Sequence, residues 1–183
     1  MIFNATPIEG VVVVDTSTYR DSRGEFARLF CERELQPVIR ERKIVQINRS
    51  RTTLAGAIRG MHFQRAPHAE MKLVRCLNGR VWDVAIDLRR NSRTFLKWHG
   101  EELSPGNARM VVIPEGCAHG FQALEPECEL LYLHTAAYTP AAEGGVRYDD
   151  PALAINWPLV PTEASPRDMN HPVIGPDFQG LHL

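Results

Sequence analysis

The strongest constraint on this chain is a succession of short β-type runs, each closed by a turn signal. The runs are Val11–Val14, Glu25–Phe30, Ile44–Arg51, Ala57–Gln64, Met71–Leu77, Arg80–Leu88, Phe95–Leu103, Arg109–Ile113, His119–Leu124 and Glu129–Tyr138. Val11 to Val14 is β-branched and bounded by Gly10 and Asp15, the pattern of a buried strand. Arg20 to Gly24 reads as a turn, and Asn78-Gly79 between two runs is a hairpin signal. Arg80–Leu88 alternates, with Trp82, Val84, Ile86 and Leu88 on one face and Asp83 and Asp87 on the other. The one helical candidate is Glu32–Arg42, and Pro37 keeps it short. About ten strands with so little helix predict an all-β sandwich or barrel. A length of 183 residues fits a single domain over 1–183. The Pro-rich stretch from about Pro151 is expected to pack on the barrel rather than fold alone.

Composition excludes several functions. The 21 basic and 22 acidic residues leave a net charge of -1, so bulk charge draws no polyanion and nucleic acid is not expected as a partner. Cys31, Cys76, Cys117 and Cys128 lie far apart without a CxxC pair, which argues against a structural zinc site or a disulfide framework. Free thiols fit a reducing cytoplasm. The N-terminal stretch lacks a basic region before its short valine run, so neither a signal peptide nor a membrane span is expected. Only Lys43, Lys72 and Lys97 are lysines, so 18 of the 21 basic residues are arginine.

Two segments concentrate chemistry. Arg59, His62 and Gln64 lie close together in one run, and Pro114-Glu115-Gly116-Cys117-Ala118-His119 matches the PxGxxH half of the cupin pattern. The HxH half of metal cupins is missing, because His62 is followed by Phe63-Gln64. His62, Glu70 and His119 would be the remaining metal-ligand candidates. Lys72 stands in an otherwise apolar run, where an unpaired ammonium is costly to bury. The plainest reading of it is an edge-strand lysine reaching solvent. Tyr132 and Tyr138 could equally be core aromatics, and Asp168 a turn residue or cap. Taken together, a histidine base, a tyrosine acid and a lysine for an enolate are what proton abstraction beside a carbonyl needs.

Along nearly its whole length the chain resembles the dTDP-4-dehydrorhamnose 3,5-epimerase family. The resemblance rests on Asp21-Ser22-Arg23-Gly24 with Phe26, Gln46-Ile47-Asn48-Arg49-Ser50, Ile58 to Gln64 and Lys72-Leu73-Val74. It continues through Asp83 to Arg89, Ser92 to Phe95, Ile113 to Phe121, Tyr132 with Tyr138, and Asp149-Asp150-Pro151 before Ile155-Asn156-Trp157-Pro158. The family implies a cupin-like double-stranded β-helix (jelly-roll) barrel with short peripheral helices. It implies a homodimer that needs no cofactor or metal. The implied substrate is a nucleotide-diphosphate 4-keto-6-deoxy sugar, epimerised at C3 and C5.

By the same resemblance His62 is the base, Asp168 orients it, Tyr132 returns a proton to the opposite face and Lys72 holds the C4 oxyanion. Arg59 contacts the diphosphate with His119 nearby, Gln46 and Asn48 contact nucleotide or sugar, and Tyr138 stacks on the base. Arg23 and Phe26 reach across from the partner subunit, and Glu143 and Arg167 lie on the substrate side. Arg28 replaces a glutamate found in many members, which raises the expectation that the base is not thymine or is read differently, with CDP as one candidate nucleotide. Competing readings of the chain are a C3-only epimerase, a non-catalytic sugar-nucleotide binder and a metal-dependent cupin. In a straight strand Arg59 and His62 point to opposite faces, so a shared site requires a bulge at Gly60.

Overall fold

Alternation along the strands gives each a face turned toward a common interior and a face turned away. The computed structural model describes residues 1–183. Its elements are β1 (Ile2–Ala5), β2 (Val12–Asp15), β3 (Thr18–Asp21), β4 (Gly24–Ala27), α1 (Glu32–Ile39), β5 (Gln46–Thr52), β6 (Ile58–Gln64), β7 (Lys72–Asn78) and β8 (Val81–Asp87). They continue with β9 (Trp98–Leu103), β10 (Arg109–Ile113), β11 (Cys117–Ala123), β12 (Cys128–His134), β13 (Glu143–Gly145) and α2 (Pro166–Met169). A six-stranded sheet runs β1-β2-β10-β7-β12-β5 and a five-stranded sheet β13-β6-β11-β8-β9, while β3 and β4 form a separate hairpin. Neighbouring strands pair antiparallel throughout. Two antiparallel sheets facing each other form the expected cupin-like β-barrel.

Three apolar layers result. Between the sheets, Val74, Cys76, Val111 and Ile113 meet Val81, Ala85, Phe121 and Leu130. On the outer face of the six-stranded sheet, Leu73, Met110, Val112 and Leu133 are covered by Leu35 and Ile39 of α1. On the outer face of the other sheet, Met61, Phe63, Val84 and Ile86 are covered by Leu153, Ile155, Trp157, Ile174 and Phe178 from the C-terminal segment. Trp98 Nε1 donates to the Leu153 carbonyl at 3.0 Å and Trp157 Nε1 to that of Tyr148 at 2.9 Å. Both faces of β8 are therefore buried, with Trp82, Val84 and Ile86 outward and Asp83 inward.

Several expectations change. The Asn78-Gly79 turn does not close a hairpin, since β7 and β8 lie in opposite sheets and pair with other strands. It is a corner between the sheets, and Gly79 is needed there because a Cβ would meet Cys128 Sγ at 2.7 Å with φ at +75°. The helix stops at Ile39 rather than Arg42, because Arg40 takes φ 55° while its N–H still bonds the Gln36 carbonyl. Residues 20–24 are not all turn: Thr18–Asp21 forms β3 and pairs with Gly24–Ala27. The strand expected at Phe95 begins at Trp98, because Asp87 ties down the segment before it through Arg89, Ser92 and Thr94.

The hairpin arm has a defined root. Arg75, only 2% exposed on β7, donates to the Leu29 carbonyl at 3.0 Å and the Ala108 carbonyl at 2.7 Å, and to Thr16 Oγ1. Thr16 precedes the arm and Leu29 follows it. Burial pushes the Arg75 pKa down to about 10, which leaves it charged at neutral pH. Arg75→Met leaves these acceptors without their donor and is expected to destabilise the fold by about 2 kcal/mol or more. Hydrogen exchange should quicken across Thr18–Ala27 in that variant; unchanged protection there would overturn the anchoring role.

Candidate active site

Strand register determines which side chains share the interior. On the six-stranded sheet, β12 pairs His134 with Lys72 and Gln46, and Tyr132 with Val74 and Asn48. The next inward row joins Leu130, Cys76 and Ser50. On the facing sheet, β11 pairs His119 with His62. Toward one end the inward positions are apolar, and toward the other they turn polar. There a cavity of about 970 Å³ opens, lined by Asn48, Arg59, His62, Lys72, His119 and Tyr132 among others. That volume is at the upper end for small-molecule sites.

A bulge brings Arg59 and His62 to the same side. His119 pairs with His62, yet Phe121 pairs with Arg59, so Gly60 and Met61 together oppose the single residue Gly120. Gly60 has φ +137°, and a Cβ on it would lie 2.6 Å from the Gly120 Cα. Only glycine allows the backbones to come this close. Met61 then points outward into the apolar layer, while His62 and Gln64 face inward. The Gly60 N–H donates instead to Asp168 Oδ2 at 3.1 Å.

Asp168 lies on α2, where Ser165 caps the helix by accepting the Asp168 N–H at 3.1 Å. Its Oδ1 meets His62 Nε2 at 2.8 Å. Burial opposes ionisation of Asp168, but the His62 hydrogen bond and charge, with the Gly60 N–H and Ser165, outweigh it and hold the carboxyl at about 2. An ionised acceptor this close places the imidazole proton on Nε2 and leaves Nδ1 as the basic nitrogen. Arg167 Nη2 also approaches Nε2, at a longer 3.3 Å.

The opposite wall carries Tyr132 and Lys72, while His119 lies beside His62. Tyr132 Oη is 2.9 Å from Ser50 Oγ. Burial pushes the phenol well above its ordinary pKa, more than Ser50 lowers it, so the proton is firmly held. Lys72 is 8% exposed and central in its sheet, so it is not an edge-strand lysine reaching solvent. Its Nζ donates to the His62 carbonyl at 3.2 Å and pairs with Glu70 at 3.3 Å. His119 is buried against Asp83, with Nε2 to Oδ2 at 2.7 Å. The three metal-ligand candidates therefore face different partners: His62 meets Asp168, Glu70 meets Lys72 and His134, and His119 meets Asp83.

At the rim, Tyr138 Oη donates to Glu143 at 3.0 Å and Arg167 Nη1 reaches the same carboxylate at 3.1 Å. Arg59 donates to Thr52 Oγ1 at 3.0 Å and to the Arg51 carbonyl at 3.2 Å. Gln46 does not line the cavity; its Oε1 accepts the Tyr138 N–H at 2.9 Å and so steadies a residue that does. Arg23, Phe26 and Arg28 do not line this cavity. Arg23 pairs with Asp21 on the exposed hairpin, Phe26 is 67% exposed and Arg28 pairs with Glu34. Sequence reasoning missed Ser50, His134 and His171, and gave Glu70 no role beside Lys72. His134 follows Tyr132 by two residues and Glu70 precedes Lys72 by two, so alternation alone could have flagged both. His171 packs its ring edge-on against His62 at 5.7 Å, and no sequence pattern marked it.

The family model described as dTDP-4-dehydrorhamnose 3,5-epimerase matches residues 5–175. The chain belongs to this family. The dTDP-4-dehydrorhamnose 3,5-epimerase of Methanothermobacter thermautotrophicus is 43% identical over 86% of this chain and 84% of its own length. A dTDP-4-dehydrorhamnose 3-epimerase of Streptomyces niveus is 38% identical over 89% of this chain and 79% of its own. Among solved structures, the dTDP-6-deoxy-D-glucose-3,5-epimerase of Legionella pneumophila, in complex with dTDP-4-keto-L-rhamnose, superposes with a TM-score of 0.92. That protein is 34% identical, and the match covers 100% of this chain and 98% of it. Membership accounts for the spacing of the motifs along the epimerase chain, and the paired sheets place most of those motifs around one cavity.

Asp168 gives a pH signature. Its folded pKa of about 2 lies below the ordinary 3.8, so its stabilisation is present above about pH 4 and lost as pH falls toward 2. The shift corresponds to about 2 kcal/mol. Urea denaturation of wild type and Asp168→Asn should show a stability gap that narrows over this window; a gap independent of pH would overturn the assignment.

Proposed function

We propose that this protein epimerises a dTDP-activated 4-keto-6-deoxyhexose of the dTDP-4-dehydro-6-deoxy-D-glucose type at C3 and C5, in rhamnose-type deoxysugar synthesis. The observation that carries this reading is the His62–Asp168 pair on one wall of the cavity, with Tyr132 and Lys72 on the other. The C4 ketone acidifies the C3 and C5 hydrogens. His62 Nδ1 takes the proton, the C–H electrons pass into the ring, and the C4 oxygen becomes an enolate oxyanion. Lys72 stabilises that charge as it develops. Tyr132 then protonates carbon from the opposite face, which inverts the centre. The resulting imidazolium and phenolate recover their starting states by exchange with solvent before the second centre reacts.

Asp168 supports the imidazolium and fixes its tautomer, a positioning role. The high pKa of Tyr132 suits a proton donor that must stay protonated until carbanion character appears. Arg59 and Arg167 supply exposed guanidinium forks for a diphosphate at the rim, with Asn48, Tyr138, Glu143 and His119 as further contacts and Gln46 steadying Tyr138. No cofactor has a role in these steps. The four cysteines are free thiols, which fits the cytoplasm.

Incubation with dTDP-4-keto-6-deoxyglucose in deuterated water, followed by NMR, is expected to place deuterium at both C3 and C5. Label at C3 alone would replace this reading with the 3-epimerase activity named for the Streptomyces niveus relative. His62→Ala should slow exchange by at least about a thousandfold. Near-normal exchange in that variant would remove His62 as the base.

We also propose a homodimer. The edge strand β5 leaves Ile47 62% exposed beside Val45, and the β3–β4 arm holds Tyr19 and Phe26 in solvent at 69% and 67%. Apolar side chains on an open sheet edge and a projecting arm call for a covering surface. A second copy would give Arg23, Phe26 and Arg28 a route toward the neighbouring site. Light scattering at micromolar concentration should give twice the 20.6 kDa chain mass, and Phe26→Asp should lower it. A wild-type monomer would defeat the proposal.

A further inference from the structure

Lys72, on the β7 wall of the cavity, is not alone. Glu70 lies two residues before Lys72, and its side chain is 8% exposed. One carboxylate oxygen pairs with Lys72 Nζ at 3.3 Å and the other with His134 Nδ1 at 2.8 Å. His134 Nε2 in turn lies 3.4 Å from the Asn48 amide nitrogen. With Asn48 as donor to Nε2, the Nδ1 nitrogen carries the proton and donates it to Glu70. Asn48, His134, Glu70 and Lys72 thus form one chain, two hydrogen bonds and an ion pair, from β5 across β12 to the start of β7.

Counting donors shows what the chain does. An ammonium has three N–H groups. Lys72 uses one on the His62 carbonyl and one on Glu70, and a third remains on a side chain that lines the cavity. A flexible lysine stem has no fixed geometry of its own. Two anchored donors give it one. Burial works against ionisation of Glu70, yet the His134 hydrogen bond and the Lys72 charge pull its pKa below the ordinary value, so the anchor stays anionic.

We propose that Glu70, held by His134, is a positioning residue that fixes the Lys72 side chain and aims its free N–H at the oxyanion formed during epimerisation. This rests on the reading that Lys72 stabilises that oxyanion. A glutamine at position 70 matches the shape but not the function, since its amide nitrogen faces a donor on one neighbour or the other. Glu70→Gln is therefore expected to lower kcat by roughly 10- to 100-fold while KM moves less than about threefold. His134→Leu should do the same. His134→Asn, whose amide nitrogen occupies the place of Nδ1, should recover most of the loss.

The decisive measurement is the double variant. If Glu70 acts through Lys72, Glu70→Gln adds nothing to the loss already caused by Lys72→Met. Melting temperatures taken alongside separate the variants that fail to fold from those that fail to turn over. An additive double variant, or a Glu70→Gln kcat within twofold of wild type beside an impaired Lys72→Met, would overturn the inference and leave the reading of Lys72 intact. A Lys72→Met enzyme with normal kcat would overturn both.

Discussion

One carboxylate governs the geometry of this site. Asp168 is anchored from three directions: by the Ser165 cap on its own backbone, by the Gly60 N–H and by His62. Each contact requires something different of the sequence. The cap fixes α2 at its first turn. The Gly60 bond exists only because the β6 bulge withdraws that N–H from the ladder. The His62 bond exists only because the same bulge turns His62 inward. The C-terminal segment is therefore more than a cover on the outer sheet. It supplies the acceptor that pairs with His62, and its apolar residues on Met61 and Phe63 hold that acceptor against the strand carrying His62.

In the proposed reaction the two sheets divide the chemistry between them. Inverting a carbon centre requires one group to remove a proton and another to deliver one from the far side. A sandwich offers this directly, because inward residues of facing sheets approach a ligand from opposite directions. His62 comes from the five-stranded sheet, and Tyr132 and Lys72 come from the six-stranded one. The apolar packing of Val74, Phe121 and Leu130 beneath them keeps the spacing of the walls fixed.

Much of this was legible in the sequence, and what was not has definite physical causes. The inward identity of Lys72, Val74 and Cys76, and of Leu130 and Tyr132, follows from period-two alternation. The two-faced burial of β8 does not, because Asp83 and Asp87 make its second face read as polar. Alternation says nothing about which strands pair, so the Asn78-Gly79 corner resembles a hairpin turn until the topology is known. The resemblance named Arg59 and His62 together, but a straight strand forbids the pair. The bulge expected at Gly60 resolves the conflict, but its partner Gly120 on the neighbouring strand is a contact that the sequence does not mark. Asp87 illustrates the reverse case. Its motif, running on to Ser92 and Thr94, is a buried hydrogen-bond cluster that fixes a loop away from the cavity.

The arginine-rich composition also acquires meaning by position. Within the cavity every inward cation or imidazole has its own carboxylate: His62 with Asp168, His119 with Asp83, Lys72 and His134 with Glu70. Pairing at this depth offsets the cost of burying polar groups where solvation is poor. At the rim Arg59 bonds only Thr52 and the Arg51 backbone, and so keeps its full charge for a ligand. A sugar nucleotide has the matching distribution, with a doubly negative diphosphate at one end and a neutral ketone at the other. Local placement of a few guanidinium groups is sufficient for such a molecule, and the near-neutral net charge of the chain follows from that. In the proposed reaction the interior needs a positive charge only while the enolate lasts, and Lys72, already tethered by Glu70, would supply it with little rearrangement.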